Sequence, residues 1–139
     1  MNDAEKFAAL KQQAVAENEA AYGSEARQKY GDAAVDAANA GLLGLGRPEY
    51  DAWTALDAEL RARLEAAVQA GLSPQGEEGR SICGMHRRWL ATTTPGLTPA
   101  MHRGIAELYV ADQRFTAYYD RAVPGCARFL RDAVAHWAG

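Results

Sequence analysis

Apolar residues recur along most of the chain at spacings of three and four, and no stretch alternates as a half-buried strand would. The clearest stripe is Trp53, Leu56, Leu60, Leu64 and Val68. It predicts a helix from Pro48 to Ala70, with proline in the first turn and Gly71 as the stop. Upstream, Asn2 or Asp3 can cap a helix running to Tyr22, and Ser24 can cap a second one ending near Asn39. Glycines 41, 44 and 46 then come too close together for stable helix and predict a flexible apolar connector.

Downstream of a loop at Ser73–Gly76, a fourth helix carries Ile82, Met85, His86 and Trp89 on one face and breaks at Thr92–Gly96. Thr98 and Pro99 open a fifth, reaching Ala111 with Met101, Ile105 and Leu108 inward. Asp112 caps a short sixth through Tyr119. Pro124 opens a seventh through Trp137, whose broad face holds Cys126, Phe129, Leu130, Ala133 and Val134. The expected class is all-α, with about seven helices and no internal repeat.

The apolar weight is uneven. Between Asn2 and Gly41 the large apolar side chains are Phe7, Leu10, Val15, Tyr22, Tyr30 and Val35, and the last forty residues hold more than twice as many. Burying such a side chain is worth about 1.5–3 kcal/mol, against about 1–2 kcal/mol per residue to order the backbone. We therefore expect one domain over 1–139, with mobile helices over 1–46 that firm up when a ligand binds and a stable core over 47–139.

The 139 residues suffice for a core without staples, and a net charge of −3 with interspersed signs argues against nucleic-acid binding by the chain itself. The nearest basic group, Arg80, His86, Arg87 and Arg88, is offset by Glu77 and Glu78. No stretch approaches the roughly 18 apolar residues of a membrane span, and the start lacks a signal core. A cytoplasmic protein with reduced Cys83 and Cys126 is expected.

Candidate chemistry is sparse. Cys83 and His86 lie one helical turn apart and could form a thiol–imidazole pair, though a small residue packed beside a histidine is the plainer reading. His86, His102 and His136 show no metal-ligand spacing, and the glycines form no phosphate loop. No catalytic residue, metal or cofactor is expected. Aromatic residues are more telling: Tyr22, Tyr30, Tyr50, Trp53, Trp89, Tyr109, Phe115, Tyr118 and Tyr119 are spread over several helices. A cleft lined by such rings with a few polar groups suits large heteroaromatic ligands. His86, Trp89 and His102, on adjacent helices, are placed to converge on one.

The segment Met101–Thr116, reading MHRGIAELYVADQRFT, resembles the signature of the TipAS antibiotic-recognition domain. Val123–Val134, reading VPGCARFLRDAV, is similar to a second element of that family. So are Met85–Trp89, the Ala70–Leu72 turn and, more loosely, Tyr30–Asp32 and Tyr50. The resemblance implies a globin-like helical fold without haem, related to the effector half of MerR-type regulators and to albicidin-binding proteins. It implies capture of a thiopeptide-like or albicidin-like antibiotic, with N-terminal helices closing over it. Two positions depart from the pattern. Leu97 stands where the thiopeptide-responsive prototype has a drug-trapping cysteine, which argues against covalent capture. Ala37, Ala38 and Asn39 replace the polar triplet that usually follows the family's WGD, the element Tyr30–Asp32 resembles, which puts contacts from that helix in question.

The expected ligand-binding set is thus Tyr30, Trp53, His86, Trp89, Met101, His102, Tyr109, Phe115 and Tyr119. Trp53, Trp89, Tyr109 and Phe115 would wall the ligand, while His86, His102, Tyr30 and Tyr119 would offer hydrogen bonds. The expected protein is a stand-alone monomer or weak dimer that sequesters a drug and lacks a DNA-reading half. The alternatives are a sensing module for a separate regulator, or an enzyme acting on the drug through Cys83 and His86.

Overall fold

The computed structural model describes residues 2–139, and among these every regular element is helical. The helices are α1 (Asp3–Asn18), α2 (Ser24–Tyr30), α3 (Asp32–Leu43), α4 (Arg47–Gln69), α5 (Glu77–Thr93), α6 (Pro99–Ala111), α7 (Gln113–Asp120) and α8 (Cys126–Trp137). A π-helical turn, Glu19–Gly23, joins α1 to α2. The chain forms two compact units. One comprises the residues up to Trp53 with Ala91–Pro95, the other Thr54–Leu90 with Gly96–Gly139. The division falls inside α4 and α5 rather than after residue 46.

In the first unit α1 and α2 both pack on α3. Asn2 caps α1 by accepting from the Glu5 backbone N–H at 2.8 Å. The expected stop at Gly23 is overturned, because Gly23 keeps helical angles and Ser24 continues the helix instead of capping one. The reason is a side chain: the Glu19 carboxylate folds over Gly23, where a Cβ would come within 1.9 Å of Oε2. Arg27 holds that carboxylate at 2.5 Å, bonds Asp36 at 2.8 Å, and reaches Asp32 at 3.2 Å. Asn39 Nδ2 donates to Glu19 from α3 at 2.9 Å. The guanidinium accordingly keeps the Glu19 carboxyl below the usual carboxylate range. The chain breaks at Gly31 instead, whose φ of 87° suits a residue without Cβ.

The expected flexible connector is also corrected. Gly41, Leu42 and Leu43 are helical, and Leu42 is buried. A Cβ at Gly41 would lie 2.6 Å from the Thr93 carbonyl oxygen, so this glycine permits a close backbone approach. Lys11 closes the corner, its Nζ donating to the Leu43 and Leu45 carbonyls at 2.6 and 2.8 Å.

The second unit holds the hydrophobic core. Leu60, Leu64 and Ala67 of α4 meet Ile82, Cys83 and Met85 of α5, together with the inner faces of α6, α7 and α8. Thr98 and Asp112 cap α6 and α7 as their sequence positions predict. Helix α8 starts at Cys126 rather than Pro124, because Gly125 takes the left-handed φ of 99° and Asp120 then accepts from the Ala127 N–H at 2.8 Å. Trp137 Nε1 donates to the Pro74 carbonyl at 3.1 Å, tying the end of α8 to the α4–α5 loop. None of the described helices is long and apolar enough to cross a membrane.

Candidate functional site

The second unit gathers seven of the nine expected site residues. His86 projects from the face of α5 that also buries Ile82 and Met85, so helical periodicity carries it into the core. His102 sits one turn into α6, and Tyr109 two turns further on the same buried side. The three meet directly. His86 Nδ1 and His102 Nε2 are 2.7 Å apart with their rings stacked, and His86 Nε2 lies 3.0 Å from the Tyr109 hydroxyl. Tyr109 in turn is hydrogen-bonded to Tyr119 of α7, ring centroids 4.6 Å apart. The result is a continuous relay, His102–His86–Tyr109–Tyr119.

Its electrostatics follow from burial. Both imidazoles are fully buried. Desolvation pushes the His86 pKa far down, with a further push from His102. Desolvation also lowers His102, and the cations Arg87 and Arg103 add to the effect. Both rings are therefore neutral near pH 7. Burial raises the Tyr119 hydroxyl well above its ordinary value, with smaller pushes from Tyr109 and Asp57.

Phe115 packs on Tyr109 at 5.5 Å, and Trp89 stacks on His86 at 6.1 Å. Met101, expected to face inward, is instead 41% exposed in the first turn of α6. The remaining two residues belong to the first unit. Trp53 is half-buried and packs on Tyr50 at 5.8 Å, while Tyr30 is exposed at the end of α2 beside Lys29. The structure thus alters one expected role. His86 spends both ring nitrogens on protein partners and has no hydrogen bond left to offer a guest.

Residues outside the expected set complete an aromatic row in the first unit. Phe7 packs edge-on against Tyr50 at 5.3 Å, with the Lys11 ammonium 4.5 Å and the Arg47 guanidinium 5.3 Å from the Phe7 ring centre. The signal in the sequence was the spacing of Tyr50 and Trp53 with Arg47 one turn before; only folding brings Phe7 to them.

The thiols take no part in this cluster as activated groups. Burial raises the Cys83 pKa despite the opposing charge of Arg87, and raises Cys126 to about 11. A catalytic thiolate needs the opposite shift. Among the described residues no group of three or more His, Cys, Asp or Glu side chains could hold a metal ion.

Comparison with known proteins gives this cluster a context. The family model of the TipAS antibiotic-recognition domain matches residues 22–137. The transcriptional activator TipA of Streptomyces coelicolor is 36% identical over 76 residues, which is 55% of this chain and 30% of TipA. The Bacillus subtilis activator mta is 27% identical over 96% of this chain and 51% of its own length. The matches thus span 30% of one relative's length and 51% of the other's. Among solved structures, TipAS of Streptomyces lividans in complex with nosiheptide, from a thiopeptide antibiotic multidrug resistance system, superposes with a TM-score of 0.72. It is 28% identical, and the match covers 86% of this chain and 85% of that one.

Proposed function

Because the chain belongs to the TipAS antibiotic-recognition family, we propose that it binds a bulky, ring-bearing peptide antibiotic without covalent attachment and protects by sequestering it. The observation that carries this reading is the likeness to TipAS with nosiheptide, which runs through most of both chains. The aromatic cluster supports it: Trp89, Tyr109, Phe115 and Tyr119 offer stacking surface, and the exposed Met101 offers adaptable apolar contact. The role is binding rather than catalysis, since no activated nucleophile lies in the cluster and both cysteines have raised pKa values. We place the protein in the cytoplasm, in keeping with its relatives being transcriptional regulators.

Sequestration protects only when affinity is high, so a dissociation constant near or below nanomolar, about −12 kcal/mol, is expected. The test is a thermal-shift titration with nosiheptide, albicidin-type compounds and other polyheteroaromatics. A thousandfold excess over the dissociation constant adds about 4 kcal/mol of stability, which moves the melting temperature by many degrees. A melting temperature unmoved by every compound overturns the proposal.

A second reading is favoured by the relatives themselves, which are HTH-type transcriptional regulators. In that reading the chain is the sensing part of a regulatory system. Ligand-dependent capture of a DNA-binding partner supports it, and drug protection in a host that has no such partner supports sequestration.

A further inference from the structure

Glycine inside a helix weakens it relative to alanine, a local cost that close packing can offset. Three helical glycines here are explained that way. A Cβ at Gly41 would meet the Thr93 carbonyl oxygen at 2.6 Å, and one at Gly79 would meet the Pro74 carbonyl oxygen at 1.8 Å. Gly23 lies under the Glu19 carboxylate. Gly104, in the middle of α6, differs. Its φ is not positive, and a Cβ built on it meets nothing within 4 Å. The fold would accept alanine there, and the space that side chain would fill is open.

The surroundings of that space are apolar. Met101 and Leu108 lie one turn away on the same face, three residues before and four after. Met101 is exposed, and Leu108 is only partly buried against the core. Glu107 stands at the rim, paired with Arg131 at 3.5 Å. The other side of α6 buries His102, Ala106 and Tyr109. Helix α6 thus turns outward a shallow seat one methyl group deep, with a thioether at one end and a leucine at the other. Gly84 in α5 gives the contrast. A Cβ there meets only the Arg88 guanidinium, at 3.9 Å, but the residues around it are the exposed Arg80, Ser81, Arg87 and Arg88. That face is polar and offers an apolar guest no wall.

A flat heteroaromatic ring suits the seat on α6. Against bare backbone it gains many small contacts that fall off steeply with distance, and a methyl group would hold it off. The Met101 sulfur packs well at a ring edge. We propose that Gly104 is a specificity element of the antibiotic site, its missing side chain seating a planar ring of the guest between Met101 and Leu108. This rests on the antibiotic-binding reading and deepens it. The seat continues the cluster already described, since Met101 is the neighbour of His102.

The test compares Gly104→Ala with Gly84→Ala in the full chain, reading the melting temperature without ligand and the affinity for nosiheptide by calorimetry. Both variants should melt a few degrees above wild type, because alanine strengthens either helix. Only Gly104→Ala should weaken nosiheptide, by roughly tenfold or more, the scale on which one methyl group acts in a fitted apolar site. Stability and affinity then move in opposite directions at Gly104 alone. Wild-type affinity in Gly104→Ala overturns the seat while antibiotic binding stands. An equal loss in Gly84→Ala also overturns it, tracing the effect to a stiffer helix, and a lower melting temperature for Gly104→Ala would show that the glycine serves the fold. Sedimentation covers the other occupant: wild-type self-association that Gly104→Ala abolishes, with nosiheptide affinity intact, gives the face to a second copy. A wild type that binds no nosiheptide counts against the functional reading and this inference together.

Discussion

In the first unit, of the described residues up to Trp53 and the short Ala91–Pro95 segment, only Gly23 and Leu42 are buried. The second unit buries Leu60, Leu64, Ile82, Leu130 and Val134 almost completely, around an aromatic and histidine interior. The first is held instead by polar and ring contacts: the Arg27 hub, the Lys11 clamp on two carbonyls, and the Phe7–Tyr50–Trp53 row. These are different kinds of stability. Apolar burial contributes about 25 cal/mol per Å² and is not screened by salt, whereas exposed ion pairs contribute about 0–1 kcal/mol each and are screened. A unit built the second way opens locally at low cost and gains most when a ligand adds contacts.

The largest effect that probes this contrast is a cavity in the second unit. Leu130 is fully buried at the centre of α8. Leu130→Ala should cost about 2–5 kcal/mol, read as a lower urea midpoint with an unchanged slope. Leu42→Ala, at the best-buried apolar position of the first unit, should cost clearly less in the same experiment. Equal losses would mean that the two units unfold as one body with a shared core.

Next comes pH. All three histidines lie in the second unit, and two of them are buried and neutral. Burial lowers the folded-state pKa of His102 from 6.5 to about 4, and His86 shifts the same way. The unfolded chain therefore binds more protons than the folded one below pH 6.5. Stability is full above 6.5 and is lost as pH falls from there toward about 4. At pH 5 the loss is about 2 kcal/mol per buried histidine. Urea midpoints at pH 7 and pH 5 check it, with a His86→Gln, His102→Gln double variant as the reference whose midpoint moves less. A wild-type midpoint as flat as the variant's would show that the rings are not held neutral by the fold.

The second unit was largely legible in the sequence, and the first was not. The stripe on α4 and the broad face of α8 follow from a 3.6-residue period, and the caps Asn2, Thr98 and Asp112 are local chemistry that a sequence displays directly. The convergence of His86, Trp89 and His102 was legible as neighbouring helices with inward faces. The bond between the two histidines was not, because it depends on the register of α5 against α6, which no local pattern encodes. In the first unit the misread residues are glycines. Gly23 and Gly41 look like helix breakers by propensity, yet each is helical for a tertiary reason: the Glu19 carboxylate over one, the Thr93 carbonyl beside the other. Such reasons involve partners distant along the chain or a side-chain fold, and sequence-local rules do not see them.

The smallest global effect is expected from the change most local to the first unit, Gly41→Ala. By propensity alone, alanine in a helix is favoured over glycine by about 1 kcal/mol, so an unpacked α3 would be stabilised. With Thr93 backbone oxygen 2.6 Å from the new Cβ, the two segments must instead move apart, an overpacking cost of about 1–3 kcal/mol. With so little burial, the first unit is expected to open at lower free energy than the second, so this cost should fall on local opening rather than on global unfolding. Amide exchange resolves the two. Protection in α3 should drop in the variant, while α8 keeps its wild-type rates, and in the wild type α1 to α3 should already exchange faster than α8. If the guest adds contacts to the first unit, saturating the wild type with an antibiotic that raises its melting temperature should narrow that gap. If exchange in α1 to α3 matches α8 before any ligand is added, the polar network alone is a sufficient scaffold, and the first unit is as firm as the second.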